Sequence, residues 1–425
     1  MTRGQFLATL AMAPFARAGT SINAERLRQR LEQLSLHGRP AGGTFADGVS
    51  RVAFSDFDVA GRALVMGWMR VAGLNPRIDA AGNIFGRREG TEPRLEPVLF
   101  GSHIDSVPNG GNFDGDLGSL AAIEAIDQLK STRRPLEMVV WTNEEGVAFN
   151  NGLFGSRAAA GLLDPGEMEH VWNGVSQRDA LKKIGGDPER IASARRGAHS
   201  AYIELHIEQG GNLDREKIPV GVVEGIVAID RYDVEIRGFA NHAGTTPMPD
   251  RQDALLAASE LTVAVNQIVR AEPGRQVGTV GHIEVSPNAP NVVPGNVKLT
   301  VELRDLSAEK IAKLGAAIEE RARAIATETR TAIEMKRVSH HASAIADPRL
   351  QKVIEDASAK LGLKTRRLPS GAGHDAQSMA HIGPMAMIFV PSVNGISHSP
   401  RELTRWEDCA NGAAVLLETV RTLAA

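Results

Sequence analysis

Hydrophobic spacing divides the chain into segments of two kinds. Between Ile22 and Leu36 apolar residues recur at helical intervals, at Ile22, Leu27, Leu31 and Leu34, and a second helix is expected over Phe57 to Ala72, stopped by Gly73. Short apolar runs follow that read as strands: Arg77–Asp79, Asn83–Gly86 and Pro97–Gly101. Asp116 to Lys130 reads as a helix offering Leu117, Leu120, Ala121, Ile126 and Leu129 to a core. Further buried strands are expected at Leu136–Thr142, Ala201–His206 and Met385–Val390. Apolar strands alternating with helices imply an α/β fold with a mainly parallel sheet covered on both faces, whose ligands collect beyond the carboxyl ends of the strands.

The order changes between residues 221 and 338. A strand at Arg231–Gly238, a helix at Asp250–Ala271, strands at Gly278–Val285 and Asn296–Asp305, a helix at Ser307–Thr329 and a strand at Ala332–Val338 give the ferredoxin-like sequence of elements. Val297, Leu299, Val301 and Leu303 alternate with Lys298, Thr300, Glu302 and Arg304, as a sheet with one solvated face requires. The pattern predicts a catalytic domain in two parts, 21–220 and 339–425, interrupted by an inserted ferredoxin-like α+β lid or dimerisation domain over 221–338. His340 and His341 are assigned to the surface.

A chain of 425 residues, 42% hydrophobic and 23% charged, can bury more than one core. Its 48 Lys and Arg are scattered and balanced by 51 Asp and Glu, which leaves no electrostatic footprint for nucleic acid. No apolar run is long enough to span a bilayer, so a small molecule is the expected partner. Residues 1–20 carry Arg3, an apolar run over Phe6–Phe15 and Ala16-Arg17-Ala18, which resemble an export signal with a small-residue cleavage site. Arg3-Gly4-Gln5-Phe6-Leu7 resembles a twin-arginine signal with Gly in place of the second arginine. Export to the periplasm is the expectation and a cytoplasmic chain the alternative.

A single cysteine, Cys409, excludes thiolate metal cages, so a metal site must be built from His, Asp and Glu. Such residues gather beside expected strand ends: His103 after the Pro97–Gly101 run, Glu144 and Glu145 after Leu136–Thr142, His206 closing its strand, and His398 after Met385–Val390. Asp114, between Gly110-Gly111-Asn112-Phe113 and Gly115, suits a carboxylate that bridges two divalent ions, because flexible backbone can turn a short side chain inward. His103 and Glu145 suit terminal ligands, His206 and His398 would complete five, and Asp105 is placed to orient the His103 imidazole. Adjacent acidic residues in extended chain point to opposite sides, so Glu144 and Glu145 are expected to divide into ligand and general base. Spacing alone leaves open which is which.

The blocks Gly101-Ser-His-Ile-Asp-Ser106, Gly111-Asn-Phe-Asp-Gly115, Thr142-Asn-Glu-Glu-Gly146, His206-Ile-Glu-Gln-Gly210, Asn241-His-Ala-Gly-Thr-Thr-Pro-Met248, Pro287-Asn-Ala-Pro-Asn-Val-Val-Pro-Gly295, Ser370-Gly-Ala-Gly-His-Asp-Ala376 and Ser397-His-Ser-Pro400 occur in order. Together they resemble the amidase, hydantoinase/carbamoylase branch of the dinuclear zinc peptidase superfamily, which holds N-carbamoyl-L-amino acid hydrolases, allantoate amidohydrolases and beta-ureidopropionases. The resemblance implies two divalent ions per subunit, zinc or else manganese, cobalt or nickel, on His103, Asp114, Glu145, His206 and His398, with Asp114 bridging and Glu144 as catalytic base. It further implies that His242 polarises the scissile carbonyl, often in the partner subunit's site. Asn291 and Arg304 would bind a substrate carboxylate, and Gln209 and His374 would contact a ureido group.

Relatives commonly carry a basic residue shortly after Glu-Glu-Gly, where this chain has Val147-Ala148-Phe149. The expected reaction is cleavage of the carbamoyl C–N bond of an N-carbamoyl-L-amino acid to amino acid, carbon dioxide and ammonia, in a homodimer formed through the inserted domain. Allantoate hydrolysis, a dipeptidase or aminoacylase activity, and a non-catalytic metal-binding protein are the competing readings.

Overall fold

The computed structural model describes residues 22–425, so the expected export signal lies outside the described residues. Two sheets organise the chain. The larger has the spatial order Arg77–Ile78, Ile84–Arg88, Leu136–Trp141, Val98–His103, Ala201–Ile207, Met385–Val390, Val220–Ile226 and Ala344–Ile345, with Thr365–Ser370 also paired to Val220–Ile226. Its centre is four parallel strands, from Leu136–Trp141 to Met385–Val390. These are buried along their whole length, as a sheet covered on both faces demands. Antiparallel pairings flank them, on one side through Ile84–Arg88 and on the other through Val220–Ile226.

Helix Asp116–Gln128 lies against this centre and is buried at every residue from Asp116 to Ile126. It approaches closely because Gly118 has no side chain: a Cβ there would stand 2.0 Å from the Leu205 carbonyl oxygen. Helices Ala24–Leu34, Asp56–Val71, Pro348–Lys360 and Trp406–Leu423 add to the same core. Side-chain caps mark several starts, with Ser55 accepting from the Asp58 amide and Asp347 from the amides of Arg349 and Leu350.

The second sheet is antiparallel, in the order Val277–Ser286, Asn296–Asp305, Ala228–Arg237 and Ala332–His341. Helices Ala254–Ala271 and Ala308–Thr329 pack on it around a core of its own that includes Val234, Leu261, Val301 and Ile318. Alternation in Asn296–Asp305 is as read from the sequence, with Val297, Leu299, Val301 and Leu303 buried. The crossing points differ from those expected. Val220–Ile226 belongs to the large sheet, so the second unit starts at Ala228 rather than Gly221. The closing strand runs on through His340 and His341, which pair with Asp230 and Ile229. His340 is exposed, as expected, and its Nδ1 lies 2.5 Å from Oδ1 of the buried Asp230.

Candidate metal centre

The site lies beyond the carboxyl ends of the four central strands. His103 is the last residue of its strand and His206 the last but one of Ala201–Ile207, so sheet hydrogen bonds hold the backbones of both. Each ring is then oriented by a backbone carbonyl: Nδ1 of His103 donates to the Asp105 carbonyl at 3.0 Å and Nδ1 of His206 to the Ile207 carbonyl at 2.9 Å. Donation from Nδ1 leaves a lone pair on both Nε2 atoms, the tautomer that a metal ligand needs. Both Nε2 atoms are buried without a hydrogen-bond partner.

They face Asp114. Its Oδ1 is 3.0 Å from His206 Nε2 and 3.5 Å from His103 Nε2, while its Oδ2 is 3.4 Å from His398 Nε2. His398 Nε2 in turn lies 3.3 Å from Glu145 Oε2. The donors therefore form two groups, His103–Asp114–His206 and Asp114–Glu145–His398, that share one carboxylate, each with its ligand atoms within 4.8 Å of one another. This is the arrangement a bridged pair of cations requires.

Glu144 and Glu145 sit in a bend, not in extended chain, and both carboxylates turn toward the site. Glu144 Oε2 is 3.7 Å from His103 Nε2, whereas Glu145 faces His398. Asp105 does this positioning. Its Oδ1 and Oδ2 accept the amides of Glu144 and Glu145, each at 3.2 Å, and its carboxylate stands 3.9 Å from His103 Nδ1. The expected orientation of His103 by Asp105 thus comes through the main-chain carbonyl, and the carboxylate serves the Glu pair.

Buried acidic groups crowd the site. Burial, reinforced by Asp114 and opposed by His103 and His398, pushes the Glu145 carboxyl up to about 8, and burial pushes Glu144 well above the ordinary range. The hydrogen bond to Asp114 raises His398 to about 9. Buried carboxylates of this density call for a compensating positive charge. Buried Nε2 atoms without partners, an unpartnered Glu145 Oε1 and the shared Asp114 all fit divalent ions.

Gln209 donates from Nε2 to Asp114 Oδ2 at 2.7 Å. Its φ is 56°, and Asn143 and His398 also adopt left-handed backbone, at 54° and 52°. Such strain in non-glycine residues, placed on the loops that leave the strands, is what a functional site held by its surroundings displays. His374 is buried, its ring 4.4 Å from that of His206 and its Nε2 2.8 Å from Ser370 Oγ.

The remaining expected substrate contacts lie in the second unit. Asn241–His242 pairs with Val292–Val293 in a two-stranded ribbon, which sets His242 beside Asn291. His242 Nδ1 accepts the amides of Gly244 and Thr245 at 3.0 and 3.1 Å, so its proton sits on the exposed Nε2. Arg304 pairs with Glu302 at 2.7 Å and donates from Nη1 at 2.5 Å to the Gly371 carbonyl, in the loop leading to His374. No hydrogen bond or ion pair among the described residues joins His242 or Asn291 to the metal-ligand groups.

Two positioning residues have no signature in the sequence. Arg51, fully buried, donates to the carbonyls of Ile104 at 2.6 Å and His37 at 2.8 Å and pairs with Asp116, tying the segment after His103 to the helix after Asp114. Glu402, 5% exposed and raised by burial to about 7, accepts the amides of Phe113 and Asp114. Both are charged residues in irregular chain, where periodicity marks nothing.

A family model described as peptidase family M20/M25/M40 matches residues 99–422. The chain belongs to this family. Among relatives, this M20 chain is 43% identical over 410 residues to an N-carbamoyl-L-amino acid amidohydrolase of Geobacillus stearothermophilus, covering 95% of this chain and 99% of that one. It is 38% identical to a ureidoglycolate hydrolase of Arabidopsis thaliana, covering 95% of this chain and 87% of the other. Among solved structures it is similar to an amidase of the hydantoinase/carbamoylase family from Burkholderia multivorans, with a TM-score of 0.88, 35% identity and coverage of 95% and 98%.

Proposed function

We propose that this M20 chain is a two-metal amidohydrolase that splits the carbamoyl C–N bond of N-carbamoyl-L-amino acids, releasing the amino acid, carbon dioxide and ammonia. The observation that carries the reading is the pair of ligand groups sharing Asp114 with Glu144 beside them, in a chain 43% identical over nearly its full length to an enzyme of that name. Two cations, zinc by preference, held by His103, Asp114, Glu145, His206 and His398, would supply Lewis-acid polarisation of the ureido carbonyl and activation of water.

Glu144 is the base. Buried beside the ligand groups, with its Oε2 3.7 Å from His103 Nε2, it is placed to take a proton from the attacking water and return it to the leaving nitrogen. His242, with its proton on Nε2, donates to the carbonyl oxygen as negative charge develops there, reaching a site when the second unit closes as a lid or from the partner subunit of a homodimer. Arg304 would offer a planar fork to the substrate carboxylate; Asn291 lies beyond the opposite end of strand Asn296–Asp305 from Arg304, so it would join the same carboxylate from the partner subunit, and Gln209 and His374 would contact the ureido group.

A ureidoglycolate-type substrate is the second reading, favoured by the 38% identity to a plant enzyme of that name. It shares the ureido group and the carboxylate and differs in what flanks them. The two are separated by ammonia release from metal-loaded enzyme given a panel of N-carbamoyl-L-amino acids, ureidoglycolate and allantoate, with Glu144→Gln as blank. Turnover of the N-carbamoyl panel is expected; ammonia from ureidoglycolate or allantoate alone overturns the choice.

A further inference from the structure

The two ligand groups are built differently. His103 and His206 are seated on central strands with both Nδ1 atoms tied to carbonyls. Glu145 and His398 stand on loops beyond the sheet, and the His398 side chain is 50% exposed on left-handed backbone. The sheet therefore templates the first group, whereas the second depends on how the Gly110–Asp114 loop is held against the Ser397–His398 loop.

One carboxylate joins those loops. Glu402 Oε1 accepts the amides of Phe113 at 3.0 Å and Asp114 at 3.1 Å, and Oε2 accepts the Ser397 hydroxyl at 2.8 Å. The next acceptor for that hydroxyl is Asp114 Oδ2, at 3.1 Å. The loop lies directly on the carboxylate, since a Cβ at Gly111 would come within 2.0 Å of Glu402 Oε1. Ser397 precedes His398, so one side chain sets the bridging carboxylate and the histidine opposite it in register.

We infer that Glu402 is a positioning residue for the Asp114–Glu145–His398 group, and that this group loses its cation selectively when Glu402 is removed. The inference rests on the reading that the site takes two divalent ions. Loss of a group that orients ligands typically weakens metal binding about 10–100-fold. Both groups share Asp114, but the first keeps two ligands, His103 and His206, that the sheet holds without Glu402, whereas the second loses the register of Asp114 with His398, so the loss falls mainly on that ion.

The test is titration of chelator-stripped, full-length chain with manganese(II) and, separately, zinc(II), read by calorimetry, with bound metal counted after dialysis. Wild type is expected to bind two ions. Glu402→Ala should keep one at near wild-type affinity and bind the other about 10–100-fold more weakly. Glu402→Gln, whose Oε1 still accepts both amides, should recover most of the difference, and Ser397→Ala, which removes one arm, should show a smaller loss on the same ion. Fewer than two ions on wild type overturns the two-cation reading and this inference together. Two on wild type, with either both ions unaffected in Glu402→Ala or both weakened equally, overturns the inference alone. If Glu402→Ala does not fold, Ser397→Ala decides, and an unchanged second affinity there overturns it.

Discussion

Gly115 offers the sharpest test of the geometry around His103. It joins Asp114 to helix Asp116–Gln128 with φ +65°, and a Cβ there would lie 2.4 Å from His103 Nε2 and Cε1 and 2.5 Å from Nδ1. Ordinary contact begins near 3.4 Å, so in Gly115→Ala the ring must retreat by about 1 Å or the turn must open. Metal–ligand distances tolerate about 0.2 Å, so the retreat removes His103 as an effective ligand.

Left-handed backbone at a residue with a Cβ costs about 1–2 kcal/mol and overpacking a further ~1–3 kcal/mol. Gly115→Ala should therefore destabilise the stripped protein by about 2–5 kcal/mol. Gly42→Ala is the matched control: φ is +73° and nothing lies within 4 Å, so only the backbone cost applies. Urea unfolding of both stripped variants gives the difference, and metal titration shows whether a ligand was lost. Equal destabilisation in the two variants, with unchanged metal affinity in Gly115→Ala, would refute the placement of the His103 ring over Gly115.

Three further outcomes are expected. Glu144→Gln should lower ammonia release about 10²–10⁴-fold while metal content stays at wild type; loss of metal would instead make Glu144 a ligand. Arg304→Gln should raise KM for a carboxylate-bearing substrate about 10–100-fold, the worth of a charge-assisted contact, and an unchanged KM would show that the carboxylate is bound elsewhere. Burial beside Tyr202, with Arg196 adding to it, lowers the His199 imidazole to about 4. Below about 6.5 the unfolded chain takes up a proton that the folded chain refuses, so the stability His199 contributes is lost as pH falls from about 6.5 to about 4, by up to about 3 kcal/mol. His199→Phe should flatten the acid limb of the urea midpoint between pH 7 and pH 4, and identical slopes would rule out this source.

The arrangement also explains why the candidate ligands are so far apart in sequence. His103 and His206 come from neighbouring parallel strands, and parallel neighbours need a crossover connection. Residues 104 to 200, including helix Asp116–Gln128, supply that crossover, and the inserted unit fills the connection between the antiparallel neighbours Val220–Ile226 and Ala344–Ile345. The site is thus assembled from strand ends, each contributing one or two groups.

Local pattern alone marks the strands that carry the candidate ligands, because runs such as Val98–Phe100 and Met385–Val390 are apolar throughout only when both faces are covered. The sequence also marks the residue types of the candidate metal site, since one cysteine leaves only His, Asp and Glu as donors. The division of those donors into two groups was settled by tertiary structure, because it depends on which oxygen of Asp114 faces which imidazole. So was the work of Asp105, whose carbonyl and carboxylate serve different neighbours. Glu402 and Arg51 were invisible beforehand for the same reason: a buried charge in irregular chain has no period, and its role exists only in the distant backbone it holds.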